Sequence, residues 1–234
     1  MKTFVFLCLL FVTVCSAQRF PNILDQAMDA LKNAKSSVDS VMSDLQHSQT
    51  NIGLKGRNEI SNLYFQASQN IDSILKTRLD YIKEKLQEAK ESSKNAEDCL
   101  NTVTKNMKDA GQTGYNQLNN CENIANQNFD AVLQAFDNER ANGQKFKNQL
   151  DQVALGCIGS SNPQQVANCI FMKVAVINQE IRQYQQRASQ LEMNAERNKN
   201  AITLQQTSCN SYAISIVQNA STKAIYAAAD CLKN

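Results

Sequence analysis

The side chains with the most constraining chemistry in this 234-residue chain are its eight cysteines: Cys8, Cys15, Cys99, Cys121, Cys157, Cys169, Cys209 and Cys231. Thiols either oxidise in pairs or bind a soft metal. Metal sites favour cysteines two to four positions apart, or histidine nearby. Here the last six are widely spaced, and the one histidine, His47, stands far from them in sequence. Disulfides are therefore the expected chemistry, with metal-bound thiols or another pairing as the alternatives.

Geometry selects among the pairings. A disulfide needs Cα atoms roughly 4.4–6.8 Å apart. Cys99 and Cys121 are 22 positions apart, and so are Cys209 and Cys231. On one helix that spacing is about 33 Å, too far to bridge. Across the chain the indices 99 and 231 add to 330, as do 121 and 209, while 157 and 169 add to 326. A nearly constant index sum is the mark of an antiparallel helical hairpin. The expected pairs are therefore Cys99–Cys231, Cys121–Cys209 and Cys157–Cys169, nested about one turn. "GCIGSSNPQQVANCIF" (156–171) supplies that turn, with two of the seven glycines and one of the two prolines. Ser161 or Asn162 can cap the following helix, with Pro163 in its first turn.

The elements that must hold these cysteines read as helices. Leu24, Ala27, Leu31, Ala34, Val38, Val41 and Leu45 step by three and four, a heptad-like seam. Similar steps run through Ile60–Met107, through Leu118–Val153, and from Ile170 to Cys231. No segment alternates as a strand does. "TNIGLKG" (50–56) reads as a turn between two helices, and "GQTG" (111–114) as a second break or kink. The expected fold is all-α: long antiparallel helical hairpins, or an elongated bundle, stapled by nested disulfides. The expected domains are a leader at 1–17, an N-terminal hairpin at 18–95 and a stapled hairpin at 96–234. Whether the first hairpin docks on the second to make a four-helix bundle stays open.

The leader is "MKTFVFLCLLFVTVCSAQ". Lys2 is a short basic start, Phe4–Val14 an apolar run, and Cys15-Ser16-Ala17 a small-residue cleavage site. This is the pattern of a secretory signal peptide cut after Ala17. The run is too short to span a bilayer, which needs about 20 residues. Cleavage would remove Cys8 and Cys15 and leave six cysteines, an even number suited to an extracellular chain.

Other chemistry is sparse. No phosphate-binding glycine loop, H-E-x-x-H or G-x-S-x-G motif occurs, and His47 has no evident partner. The expectation is a protein that is not an enzyme and takes no cofactor or metal. Charges are interspersed, with 24 basic against 22 acidic residues, so no basic stripe invites nucleic acid. The polar faces are instead amides, 27 Asn and 24 Gln. Asn219-Ala220-Ser221 is an N-glycosylation acceptor pattern inside a predicted helix. Phe129, Phe136, Phe146, Phe171 and Tyr184 lie at core spacing and could alternatively line a pocket for an apolar ligand.

These features together resemble the TsetseEP-domain family of small secreted insect proteins. The shared pattern is a signal peptide, a long Asn/Gln/Ala-rich helical region, and widely spaced cysteines around a turn of the form N-P-x-x-V-x-x-C. Here that turn is Asn162-Pro163-Gln164-Gln165-Val166-Ala167-Asn168-Cys169. The likeness covers roughly residues 95–231. It implies an extracellular protein of gut or body fluid, with an undefined molecular activity and no catalytic residues to carry over. The namesake's Glu-Pro repeat has no counterpart in the chain, so nothing tied to it transfers. Saposin-type lipid binders also nest six cysteines, but in a much shorter chain with close pairs. Three readings of function follow: an extracellular interaction protein with a protein or surface partner, a carrier of a lipid or other small hydrophobic ligand, and a homo-oligomeric filament. The first is preferred, because neutral amide faces suit hydrogen-bonded contacts.

Overall fold

A computed structural model of the chain describes residues 22–89, 96–159 and 162–231. The leader at 1–17, with Cys8 and Cys15, lies outside the described residues, as does Ser161. Three helices account for nearly everything described: α1 (Ile23–Ala89), α2 (Ala96–Cys157) and α3 (Pro163–Cys231). No strand occurs among the described residues.

The caps are those the sequence supplies. Asn22 opens α1, its side-chain oxygen accepting from the Leu24 amide at 3.4 Å. Asn162 opens α3, accepting from the Gln164 amide at 2.9 Å, with Pro163 as the first helical residue. The seam residues are the core. Ala27, Leu31, Ala34, Val38, Val41 and Leu45 are all buried.

One expectation fails. α1 runs unbroken through Thr50–Gly56, so the N-terminal hairpin expected at 18–95 has no turn there, and the described residues form three long helices rather than the four of a four-helix bundle. α2 likewise runs through Gly111 and Gly114. No glycine takes a positive φ. These glycines act through the space they leave. A Cβ on Gly56 would come within 3 Å of three ring carbons of Phe129, and one on Gly114 would collide with Val217. Helix propensity disfavours each glycine by about 1 kcal/mol relative to alanine. Burying a large side chain from a neighbouring helix offsets that loss.

The chain forms two compact units, Met1–His47 with Asp137–Leu191, and Ser48–Phe136 with Glu192–Asn234. They do not follow the expected boundary at 95/96. In the first unit α1 and α2 run antiparallel, with Lys35 paired to Asp151 and Lys147 to Asp39. Arg187 on α3 pairs with Glu139 on α2 at 3.0 Å. Tyr184 and Leu150 are fully buried in its core, and Phe146 packs on Tyr184 with ring centroids 5.6 Å apart.

In the second unit α1 and α2 are again antiparallel, with Arg57 paired to Asp130. α1 and α3 are parallel there. Ser48 meets Glu192 and Glu59 meets Thr203, each pair separated by 144 positions. Its core has one cluster around Ala67, Ile71, Leu118, Ala213 and Val217. A second cluster is built on Ile82, Leu86, Cys99, Val103 and Met107. A buried amide pair crosses this unit. Gln206 donates to Asn210 at 3.0 Å, and Asn210 donates to the Leu63 backbone oxygen on α1, also at 3.0 Å. A polar contact of this kind fixes one register between two helices.

Candidate functional site

The cysteines pair as the index sums require. Cα–Cα distances are 5.9 Å for Cys99–Cys231, 5.8 Å for Cys121–Cys209 and 5.8 Å for Cys157–Cys169. The first two pairs staple α2 to α3 in the second unit, and the third closes the hairpin turn in the first.

Cys121–Cys209 lies in a belt without charge. No Asp, Glu, Lys, Arg or His occurs in residues 60–71 of α1, 110–121 of α2 or 200–222 of α3. These three stretches are neighbours in space. Tyr64 bonds Asn119 at 2.9 Å, Asn210 bonds the Leu63 carbonyl, and Ala67, Leu118 and Ala213 share one core cluster. Gln117 points its amide at both sulfurs, 3.7 Å from each. Outside the core the belt is amide and hydroxyl, with Gln112 bonded to Asn116 at 3.2 Å.

Large side chains stand out from this neutral surface. Leu204 is 71% exposed, Phe65 60% and Tyr212 60%. None was singled out from the sequence. The signal was present, in a charge-free run with apolar residues phased opposite to the seam. At one margin Tyr115 donates to Asp72. Burial first, and then the Asp72 carboxylate, push the Tyr115 pKa up to about 12.

The aromatics proposed as pocket lining are mostly core. Phe129, Phe136 and Tyr184 are buried, while Phe146 and Phe171 are half-buried. None lines the grooves described next. Among the described residues the buried Tyr184 hydroxyl finds no hydrogen-bond partner. Burial pushes its pKa up to about 12, the Glu139 charge adds to this, and Arg187 and Arg140 oppose it.

Two cavities lie in the first unit. A groove of about 510 Å³ between α2 and α3 is lined by Val153, Met172, Val176 and Ile177 together with Lys173 and Glu180. A more apolar pocket of about 380 Å³ lies at the turn end. Leu24 and Met28 of α1, Ala154, Ile158, Val166 and Ile170 line it, beside Pro163.

Asn219 is exposed, but Ser221 of the same acceptor pattern is fully buried and donates to the Val217 carbonyl at 2.6 Å. His47 is exposed. Among the described residues no group of three His, Cys, Asp or Glu side chains could hold a metal ion. No described helix is long and apolar enough to cross a membrane. No family model, curated protein or solved structure matches this chain.

Proposed function

We propose that the chain is a secreted, non-enzymatic interaction protein that recognises an extracellular partner through the neutral belt around Cys121–Cys209. The observation that carries this reading is the belt's composition. It combines exposed Tyr212 and Phe65 with Ser, Thr, Asn and Gln, and it has no charge. Aromatic rings offer large, rigid contact area at low entropic cost, and amides and hydroxyls adapt their hydrogen bonds to a partner. Such a contact gains little from long-range attraction, so it should tolerate salt. The leader, the three disulfides and the resemblance to the TsetseEP-domain family support an extracellular setting.

Capture from extracellular fluid by the immobilised chain tests this. A partner should be retained equally at low and high salt. It should be lost when Tyr212→Asp and Phe65→Asp place charge in the belt. Capture that falls with salt and ignores both substitutions would refute it. The carrier reading draws on one observation, the apolar pocket at the turn end of the first unit. Organic extraction that yields a stoichiometric apolar ligand, with no belt-dependent partner, would favour that reading instead.

A further inference from the structure

The groove between α2 and α3 of the first unit leaves large apolar side chains in water. Met172 is 70% exposed and Val176 63%. Of the residues lining the groove only Lys173 and Glu180 are charged, and both lie on α3. Lys173, Val176, Ile177 and Glu180 stand at positions i, i+3, i+4 and i+7, one stripe of that helix. The stripe is apolar in the middle, with a cation at one end and an anion at the other, about 10.5 Å apart along the axis. No ion pair among the described residues includes Lys173 or Glu180. A Cβ on Gly156 of α2 would come 3.2 Å from Lys173 Nζ, so the ammonium lies over the groove.

We propose that this stripe is a self-association face, on which a second copy of the chain packs antiparallel about a two-fold axis. A two-fold perpendicular to α3 reverses the partner helix, so facing residues have a constant index sum. The indices 173 and 180 add to 353, as do 176 and 177. One register therefore sets Lys173 against the partner's Glu180 and Glu180 against the partner's Lys173. In that same register Val176 and Ile177 meet across the axis. A parallel arrangement would instead oppose like charges. Met172 flanks the contact with an adaptable thioether side chain. The contact is isologous, so it closes at two copies and does not propagate into a filament. The proposal concerns the first unit alone and does not rest on the belt reading.

Sedimentation equilibrium of the chain, disulfides intact, tests this. The patch is small, so a reversible dimer with a Kd of about 10–100 µM is expected. Lys173→Glu and Glu180→Lys each place like charges in both contacts and should weaken association at least about tenfold. The doubly exchanged variant restores opposite charges and should return the Kd to within about threefold of wild type. Both positions are exposed, so these variants should fold, which far-UV circular dichroism would check. Carbodiimide treatment of mixed light and heavy isotope-labelled chains should join Lys173 of one copy to Glu180 of another. A chain that stays monomeric at about 500 µM would overturn the proposal. So would a dimer indifferent to the single exchanges, or a double variant no tighter than the singles. A mass that keeps growing with concentration would overturn the closed two-fold.

Discussion

Two glycines three positions apart on α1 should respond in opposite directions to one substitution. Both Gly53 and Gly56 are mid-helix, where Gly→Ala gains about 1 kcal/mol of helix propensity. At Gly53 the new methyl would meet the Leu133 methyls at 3.5 and 3.7 Å, ordinary contact distances. At Gly56 it would fall within 3 Å of three Phe129 ring carbons. Phe129 is 1% exposed, so its ring is held from all sides and cannot swing away. Overpacking of that kind costs about 1–3 kcal/mol. Gly53→Ala should therefore stabilise by about 0.5–1 kcal/mol, raising the thermal midpoint by about 1–4 °C. Gly56→Ala offsets that gain with the overpacking cost and should lose up to about 2 kcal/mol net, lowering it by up to about 8 °C. Thermal and urea unfolding with disulfides intact would measure both. Phe129→Leu should cost less in the Gly56→Ala background than alone, because the two sites share one contact. If Gly56→Ala stabilises as much as Gly53→Ala, the helices do not pack at this register and the close-approach account is wrong.

Two further predictions concern stability. Replacing Cys121 and Cys209 together by serine opens a closure of 88 positions and should cost about 2–5 kcal/mol. The same change at Cys157 and Cys169, only 12 apart, should cost less. Denaturant midpoints of the two double variants would reverse this order if loop closure were not the main term. The pH dependence at the alkaline end follows from Tyr184. Burial holds its folded pKa up at about 12, above the ordinary phenol value of about 10, so its contribution is unchanged below pH 10 and stability is lost as pH rises towards 12. The loss should be of the order of 2–3 kcal/mol for this buried phenol. Tyr184→Phe, which also removes the unpartnered hydroxyl, should flatten that part of the curve. An unchanged alkaline slope in this variant would place the Tyr184 hydroxyl in water.

The lengths of α1 and α2 were not legible in the sequence alone, but helical periodicity, the turn before Pro163 and the disulfide pairing were. Their information is local or arithmetic. Three–four spacing names a buried face, Asn162-Pro163 starts a helix, and equal index sums follow from a uniform rise per residue on antiparallel helices. Only tertiary structure decided what the mid-chain glycines do. Gly53, Gly56, Gly111 and Gly114 lie in phase with the seam on either side of them, yet glycine's poor helix propensity argued for breaks. The deciding quantity is the distance to Phe129, Leu75 or Val217 on another helix, and one helix's sequence does not contain it. The neutral belt was written in three separate stretches, 60–71, 110–121 and 200–222. It became one surface only when helix pairing set them side by side, because adjacency in a bundle is fixed by register and not by position along the chain.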